Sequence, residues 1–222
     1  MIGELALLES DFFAKNNDER ELFYYEVRDA FNAGLQYFNF HTYGSEWVKR
    51  AAQIIFLNRT CYNGLFRVNR NGEFNVPFGR YKNPDILNRR NLGDVARLLK
   101  DTNTQIIPGD FSGCRNSVDD QTFVYFDPPY RPLSQTSSFT SYSKDGFSET
   151  DQMRLADLFK ELDARGAKVM LSNSDPLNHD SRDRFFDDLF AGYSIGRVPA
   201  RRLINCNGAR RGNIDELIIT NY

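Results

Sequence analysis

The residues with the plainest chemistry are Asp127-Pro128-Pro129-Tyr130, which follow directly on Phe123-Val124-Tyr125-Phe126, an apolar run that reads as a buried strand. Ligands of α/β sheets bind outside the carboxyl ends of the strands, where such a tetrapeptide would sit. The residue types suit methylation of an exocyclic amine on a nucleobase, whose lone pair is delocalised into the ring. A site for that reaction must accept the amine's hydrogens and draw the nitrogen toward tetrahedral geometry. Asp127 brings a carboxylate acceptor. Pro128 brings a backbone carbonyl and, with Pro129, a rigid segment without competing amide donors. Tyr130 brings a face on which an extruded base can stack, and an aromatic face is favourable beside a sulfonium. Holding the amine in line with a methylsulfonium then supplies most of the acceleration. The alternative is an ordinary Pro-rich turn. A specified tetrapeptide arises by chance on the order of once in a thousand chains of this length, which favours the chemical reading.

The elements that must position this segment are those of an α/β protein. From residue 101 onward, strands are predicted at Thr104-Ile107, Phe123-Phe126, Lys168-Ser172, Tyr193-Val198 and Glu216-Thr220. A long amphipathic helix is predicted from Glu149 to Arg165, and the sheet is expected to be mostly parallel. The first hundred residues have helical spacing, with Leu5, Leu8 and Phe12, then Leu22, Tyr25 and Phe31, then the run Trp47 to Leu57. Within them, residues 65–77 read as a hairpin around Arg70-Asn71-Gly72. Asn83-Pro84 ends it, and helical spacing resumes from Asp85 to Lys100. Two domains are therefore expected, 1–100 and 101–222.

Charge is distributed unevenly. The chain of 222 residues carries 28 basic and 30 acidic side chains, a net −2, which argues against indiscriminate binding to nucleic acid. Yet Lys49, Arg50, Arg59, Arg67, Arg70, Arg80, Lys82, Arg89 and Arg90 face only Glu73 and Asp85 in the same stretch, a local +7 that leaves −9 elsewhere. A second cluster, Arg197, Arg201, Arg202, Arg210 and Arg211, is free of acids in sequence. Basic stripes in an acidic chain suit a protein that grips a polyanion along one face; a solvated face is the alternative. Apolar residues make up 41%, enough for a core, and no stretch approaches the ~20 consecutive apolar residues of a membrane helix. The N-terminus lacks the features of a secretory signal. Cys61, Cys114 and Cys206 are an odd, widely spaced set, so a reducing cytoplasm is expected, with neither a disulfide framework nor a metal.

Five segments, residues 58–84 (NRTCYNGLFRVNRNGEFNVPFGRYKNP), 106–111 (IIPGDF), 124–134 (VYFDPPYRPLS), 137–142 (SSFTSY) and 169–175 (VMLSNSD), together resemble the Dam-like adenine-specific DNA methyltransferases, over about the whole chain. The resemblance implies S-adenosylmethionine as methyl donor, double-stranded DNA as partner, and GATC as a common target. It implies a Rossmann-like methyltransferase core with an inserted, mainly helical target-recognition domain that carries the hairpin. Carried over by residue, Asp127, Pro128, Pro129 and Tyr130 would hold the flipped adenine, with Asp127 also near the cofactor. Asp110 would meet the amino group of the cofactor's adenine and Phe111 would lie beside its ring; an N-cap is the other use of Asp110. Tyr62, Asn63, Leu65, Arg67, Pro77 and Arg80 would read DNA, with arginine bidentate to guanine and apolar contact with a thymine methyl as the expected pairings. Each of the six has a structural or phosphate-positioning alternative.

The sequence departs from that family in one respect. Family members begin with a segment carrying a Gly-Gly-Lys element and a Phe-x-Gly-x-Gly loop around the cofactor's methionine and ribose, whereas none of the fifteen glycines here stands two from another. The expectation is a partial core without its first strands, leaving the strand that ends at Phe126 as an apolar edge. Cofactor binding by the chain alone is then expected to be weak. Three readings stay open: the product of a truncated or frameshifted gene, half of a split enzyme completed by a separate N-terminal half or a second chain, and a remnant that only binds DNA.

Overall fold

The computed structural model describes residues 1–132, 147–201 and 213–222. Leu133-Ser134, the Ser137–Tyr142 segment, Arg202, Cys206, Arg210 and Arg211 lie outside the described residues. The chain divides into two compact units, Met1–Ile106 and Ile107–Tyr222.

In the first unit, helices α1 (Ile2–Phe13) and α2 (Asn17–Ala33) pack on α3 (Ser45–Thr60). Asn16 starts α2 with a reciprocal capping box, its side chain accepting from the Asp18 and Glu19 amides while Glu19 reaches back to the Asn16 amide. The expected apolar face of α2 is shifted. Tyr24, Val27 and Phe31 are buried, whereas Leu22 is exposed and Tyr25 half-buried beneath the Arg28 guanidinium. Tyr24 wins the core position because its hydroxyl finds an acceptor there, the Val76 carbonyl at 2.7 Å. Phe12 and Phe56, edge to face at 5.7 Å, centre the core. Each such buried ring contributes about 2–3 kcal/mol relative to exposure. Helix α4 (Arg89–Asp101) begins later than its spacing suggests, because the side chain of Asn88 caps it by accepting from the Asn91 amide.

The hairpin forms with little strand. Val68 bridges Phe74 and Cys61 bridges Phe78. The Asn69 amide donates to the Glu73 carbonyl and the Gly72 amide to the Asn69 carbonyl, both at 2.9 Å. Asn69 Oδ1 also accepts from the Asn71 and Glu73 amides, closing the three-residue turn locally. Gly72, at φ +81°, supplies the left-handed residue that this turn needs. Asn32 of α2 clamps the second arm, donating to the Phe74 carbonyl and accepting from its amide.

In the second unit, β1 (Phe123–Phe126), α5 (Glu149–Ala164), β2 (Lys168–Ser174), the short α6 (Phe185–Leu189), β3 (Ser194–Arg201) and β4 (Asn213–Thr220) form a four-stranded sheet in the order β1-β2-β4-β3 with helices. The expected mostly parallel sheet is corrected: β1 and β2 are parallel, whereas β2 with β4 and β3 with β4 are antiparallel. Fewer residues separate β3 from β4 than the dozen or more that a parallel crossover needs, in keeping with their antiparallel pairing. The predicted strand at Thr104-Ile107 is also corrected. It is irregular, with Ile106 81% and Ile107 69% exposed, because a strand exists only beside a partner row of backbone groups and no described strand takes it. Among the described residues β1 is an edge of the sheet, with Phe123 and Tyr125 exposed and Phe126 buried. No described helix is long and apolar enough to cross a membrane.

Candidate active site

The parallel pairing of β1 with β2 sets the geometry. Phe126 lies opposite Leu171, so the next residues, Asp127 and Ser172, fall side by side past the carboxyl end of β1. Ser172 donates to Asp127 Oδ1 at 3.1 Å and makes a second hydrogen bond, 2.9 Å, with the Tyr125 hydroxyl. A serine hydroxyl has one hydrogen, so with that hydrogen on Asp127 it is Tyr125 that donates to Ser172. The Tyr130 hydroxyl lies near this pair and donates to Glu216 of β4 at 3.3 Å. Partial burial first, then the Glu216 and Asp127 carboxylates, push its phenol above the ordinary value and keep it neutral.

Asp110 heads a short 3-10 helix, Phe111–Ser117, and caps it: Oδ1 accepts from the Ser112 amide at 3.0 Å and from its hydroxyl at 2.6 Å. Arg154 of α5 grips both carboxylate oxygens, at 3.0 and 3.1 Å. The Ser112 bonds first, then Arg154, hold the Asp110 carboxyl below the usual range. The N-cap use of Asp110 is thus realised, with a second role left open on Oδ2. Arg154 also lies over the Phe111 ring, 5.0 Å from its centroid, and Phe111 packs at 5.8 Å on Phe147.

A cavity of about 370 Å³ joins these two segments, with Gly109, Asp110, Phe111 and Phe147 along one part of its lining and Tyr125 to Pro129 along another. Asp110, Phe111, Asp127, Pro128 and Pro129 are therefore brought together within one unit, while Tyr130 is not in the lining.

In the other unit, the residues expected to read DNA gather around the hairpin's base. The Tyr62 amide donates to the Pro77 carbonyl at 2.8 Å, and the Asn63 amide donates to the Tyr81 hydroxyl at 3.0 Å. Tyr62, Asn63, Arg67, Pro77 and Arg80 are exposed, but Leu65 is half-buried and packs against the core. Arg67 lies along the second arm, Nε donating to Asn75 Oδ1 at 2.7 Å and Nη2 to the Asn75 carbonyl at 3.2 Å. Arg80, in the left-handed region at φ +55°, pairs with Glu21 at 2.9 Å.

The basic stripes thin out in three dimensions. Arg50 donates to the Phe31 carbonyl and stacks on Phe31 at 3.9 Å, so it serves the core. Arg90 pairs with Asp94, and Lys49, Arg59 and Arg89 stay exposed. Arg197, expected in an acid-free cluster, is neutralised by Asp175 at 2.8 Å and Asp187 at 2.9 Å, which sequence distance had hidden.

Four positioning side chains escaped the sequence reading: Gln152, Ser172, Asn173 and Ser174, all buried. The signal was there in the run Ser172-Asn173-Ser174-Asp175, polar residues ending a strand that is otherwise apolar, since buried polar groups occur where they have partners.

Comparison with known proteins agrees with this chemistry. Residues 5–204 match the family described as D12 class N6 adenine-specific DNA methyltransferase. The chain is 51% identical over 223 aligned residues to the type II methyltransferase M.MjaIII of Methanocaldococcus jannaschii, covering all of this chain and 72% of that protein. It is 45% identical to the type II methyltransferase M1.LlaDCHI of Lactococcus lactis, over 79% of this chain and 59% of the relative. With the DNA adenine methylase of Escherichia coli it shares 35% identity, over 88% of this chain and 63% of the relative. The mixed four-stranded sheet with helices is consistent with a methyltransferase fold. The chain belongs to the D12 class of N6 adenine-specific DNA methyltransferases.

Proposed function

We propose that this protein methylates the exocyclic N6 amine of an adenine flipped out of duplex DNA, within GATC, using S-adenosylmethionine. The observation that carries this reading is the single cavity lined by both Asp110-Phe111 and Asp127-Pro128-Pro129. Its volume lies in the range of small-molecule sites. The donor set fits the adenine end of the cofactor: among the described residues Asp110 Oδ2 carries one hydrogen bond against three on Oδ1 and can receive an amino group, and the Phe111 ring offers a stacking surface. Bound there, the cofactor would supply an electrophilic methyl group.

The chain's own residues then handle the amine. Ser172 pins Asp127 Oδ1, which leaves Oδ2 to accept an amine hydrogen, and the Pro128 carbonyl accepts the other. With both hydrogens held, the nitrogen lone pair is drawn out of conjugation, and the proton shed as the N–C bond forms has Asp127 as its first acceptor. Pro129 has no amide to compete, and Tyr130 stacks on the extruded base. Tyr62, Asn63, Leu65, Arg67, Pro77 and Arg80 select the site, Leu65 through whatever apolar surface its half-burial leaves.

A DNA-binding module without catalysis, or half of a split enzyme, is the second reading, favoured by the exposed cations Lys49, Arg59 and Arg89 of the first unit. One experiment separates them. The chain is expressed in a host without adenine methylation, alone and with a relative's cofactor-loop segment, and host DNA is digested with methylation-sensitive nucleases. Protection abolished by Asp127→Ala is expected. No protection in either setting, with duplex binding retained, would establish the binding module instead.

A further inference from the structure

The side chain of Tyr130 is held loosely. It is 36% exposed, and among the described residues its hydroxyl makes one long hydrogen bond, to Glu216. Its backbone, by contrast, is gripped on both sides from two different elements. Gln152 of α5 donates through Nε2 to the Pro129 carbonyl at 3.0 Å, fixing the peptide that precedes Tyr130. Asn173 of β2 accepts through Oδ1 from the Arg131 amide at 2.9 Å, fixing the peptide that follows. The two amides are joined to one another, Asn173 Nδ2 donating to Gln152 Oε1 at 3.1 Å. Ser174 completes the clamp, its hydroxyl donating to the Arg131 carbonyl at 2.6 Å.

Gln152 is 2% exposed and Asn173 fully buried. Gln152 lies among Leu155, Ala156 and Phe159 on the buried face of α5, where an apolar side chain would pack without needing partners. A buried amide pair spends its hydrogen bonds on geometry: Asn173 Oδ1 also accepts from the Ser174 amide at 2.9 Å, and beyond the bond joining the two amides the remaining ones, to the Pro129 carbonyl and from the Arg131 amide, lead to the turn that carries Tyr130. We propose that Gln152 and Asn173 are a positioning pair that sets the attitude of the Tyr130 ring before a base arrives, so that the extruded base meets a preformed stacking face. This inference rests on Tyr130 stacking the flipped adenine.

The test uses the whole chain and a duplex with 2-aminopurine at the target adenine, whose fluorescence rises on extrusion, with S-adenosylhomocysteine present. Gln152→Met keeps the volume and removes both hydrogen bonds. It should lower the extrusion equilibrium about tenfold, equivalent to about 1.4 kcal/mol, while duplex affinity changes less than about twofold. In the Tyr130→Ala background the same substitution should have no further effect, which a merely structural role would not produce. Ser174→Ala, which deletes only the bond to the Arg131 carbonyl, gives a milder loss and serves if Gln152→Met does not fold. An unchanged signal for both variants, or an equal loss with and without the Tyr130 ring, overturns the pair. No fluorescence rise with the unsubstituted chain overturns the stacking role of Tyr130 and the inference with it.

Discussion

Replacing Arg67 by alanine should relax DNA site preference without unfolding the protein. The guanidinium has five N–H donors, and two are used on Asn75, one from Nε and one from Nη2. Among the described residues this leaves both Nη1 donors and one Nη2 donor, an end-on pair of the geometry that meets guanine O6 and N7. Because Asn75 holds the side chain in place beforehand, little rotamer entropy remains to be lost on binding. The expected cost of Arg67→Ala is therefore about 1–3 kcal/mol on the cognate duplex, about 5- to 150-fold in Kd, and close to nothing on duplexes with that guanine replaced. Since Arg67 is exposed, the accompanying stability loss should stay within about 1 kcal/mol. Arg67→Lys should recover phosphate attraction but not discrimination, because a single ammonium cannot form the bidentate pair. Competition binding at fixed salt, with cognate and single-substitution duplexes, reads both quantities. If Arg67→Ala weakens all duplexes equally, Arg67 touches phosphate; if it changes nothing, the hairpin is not the reader.

Lys49→Ala and Arg89→Ala should weaken cognate and non-cognate DNA alike, each lowering the slope of log K against log salt by roughly 0.9 if it neutralises one phosphate; an unchanged slope would remove that residue from the interface. Asn32→Ala leaves the amide and carbonyl of buried Phe74 without their partner, and urea unfolding should register a loss of about 2–4 kcal/mol. A loss under about 0.5 kcal/mol would mean that α2 does not anchor the hairpin. Burial, then its bond to Asp163 at 2.8 Å, pushes Tyr193 up from 10.0 to about 12. A folded-state value above the unfolded one stabilises fully below pH 10.0 and is lost as pH rises toward about 12. Melting temperature should fall across that window in the unsubstituted chain and fall less in Tyr193→Phe; identical profiles would refute the linkage.

The sequence was legible wherever the determining physics is local. A strand of four apolar residues running into Asp127-Pro128-Pro129 announced itself because proline cannot continue the ladder. The turn at Arg70-Asn71-Gly72 was visible because Asn-Gly carries its conformational preference with it, Gly72 being left-handed; the bonds from Asn69 Oδ1 that close it were not. Helix α5 was readable because its apolar residues recur on one face. Tertiary structure decided what depends on distant partners. It took Thr104-Ile107 out of the sheet, reversed β4, and chose Tyr24 over Leu22 and Tyr25 for the core through a carbonyl 52 residues away. It also neutralised Arg197 and seated two buried amides, Gln152 and Asn173, around Tyr130. A hydrogen bond or ion pair forms according to which group lies at the right distance in space, and one-dimensional spacing encodes that distance only within a helix turn or a tight turn.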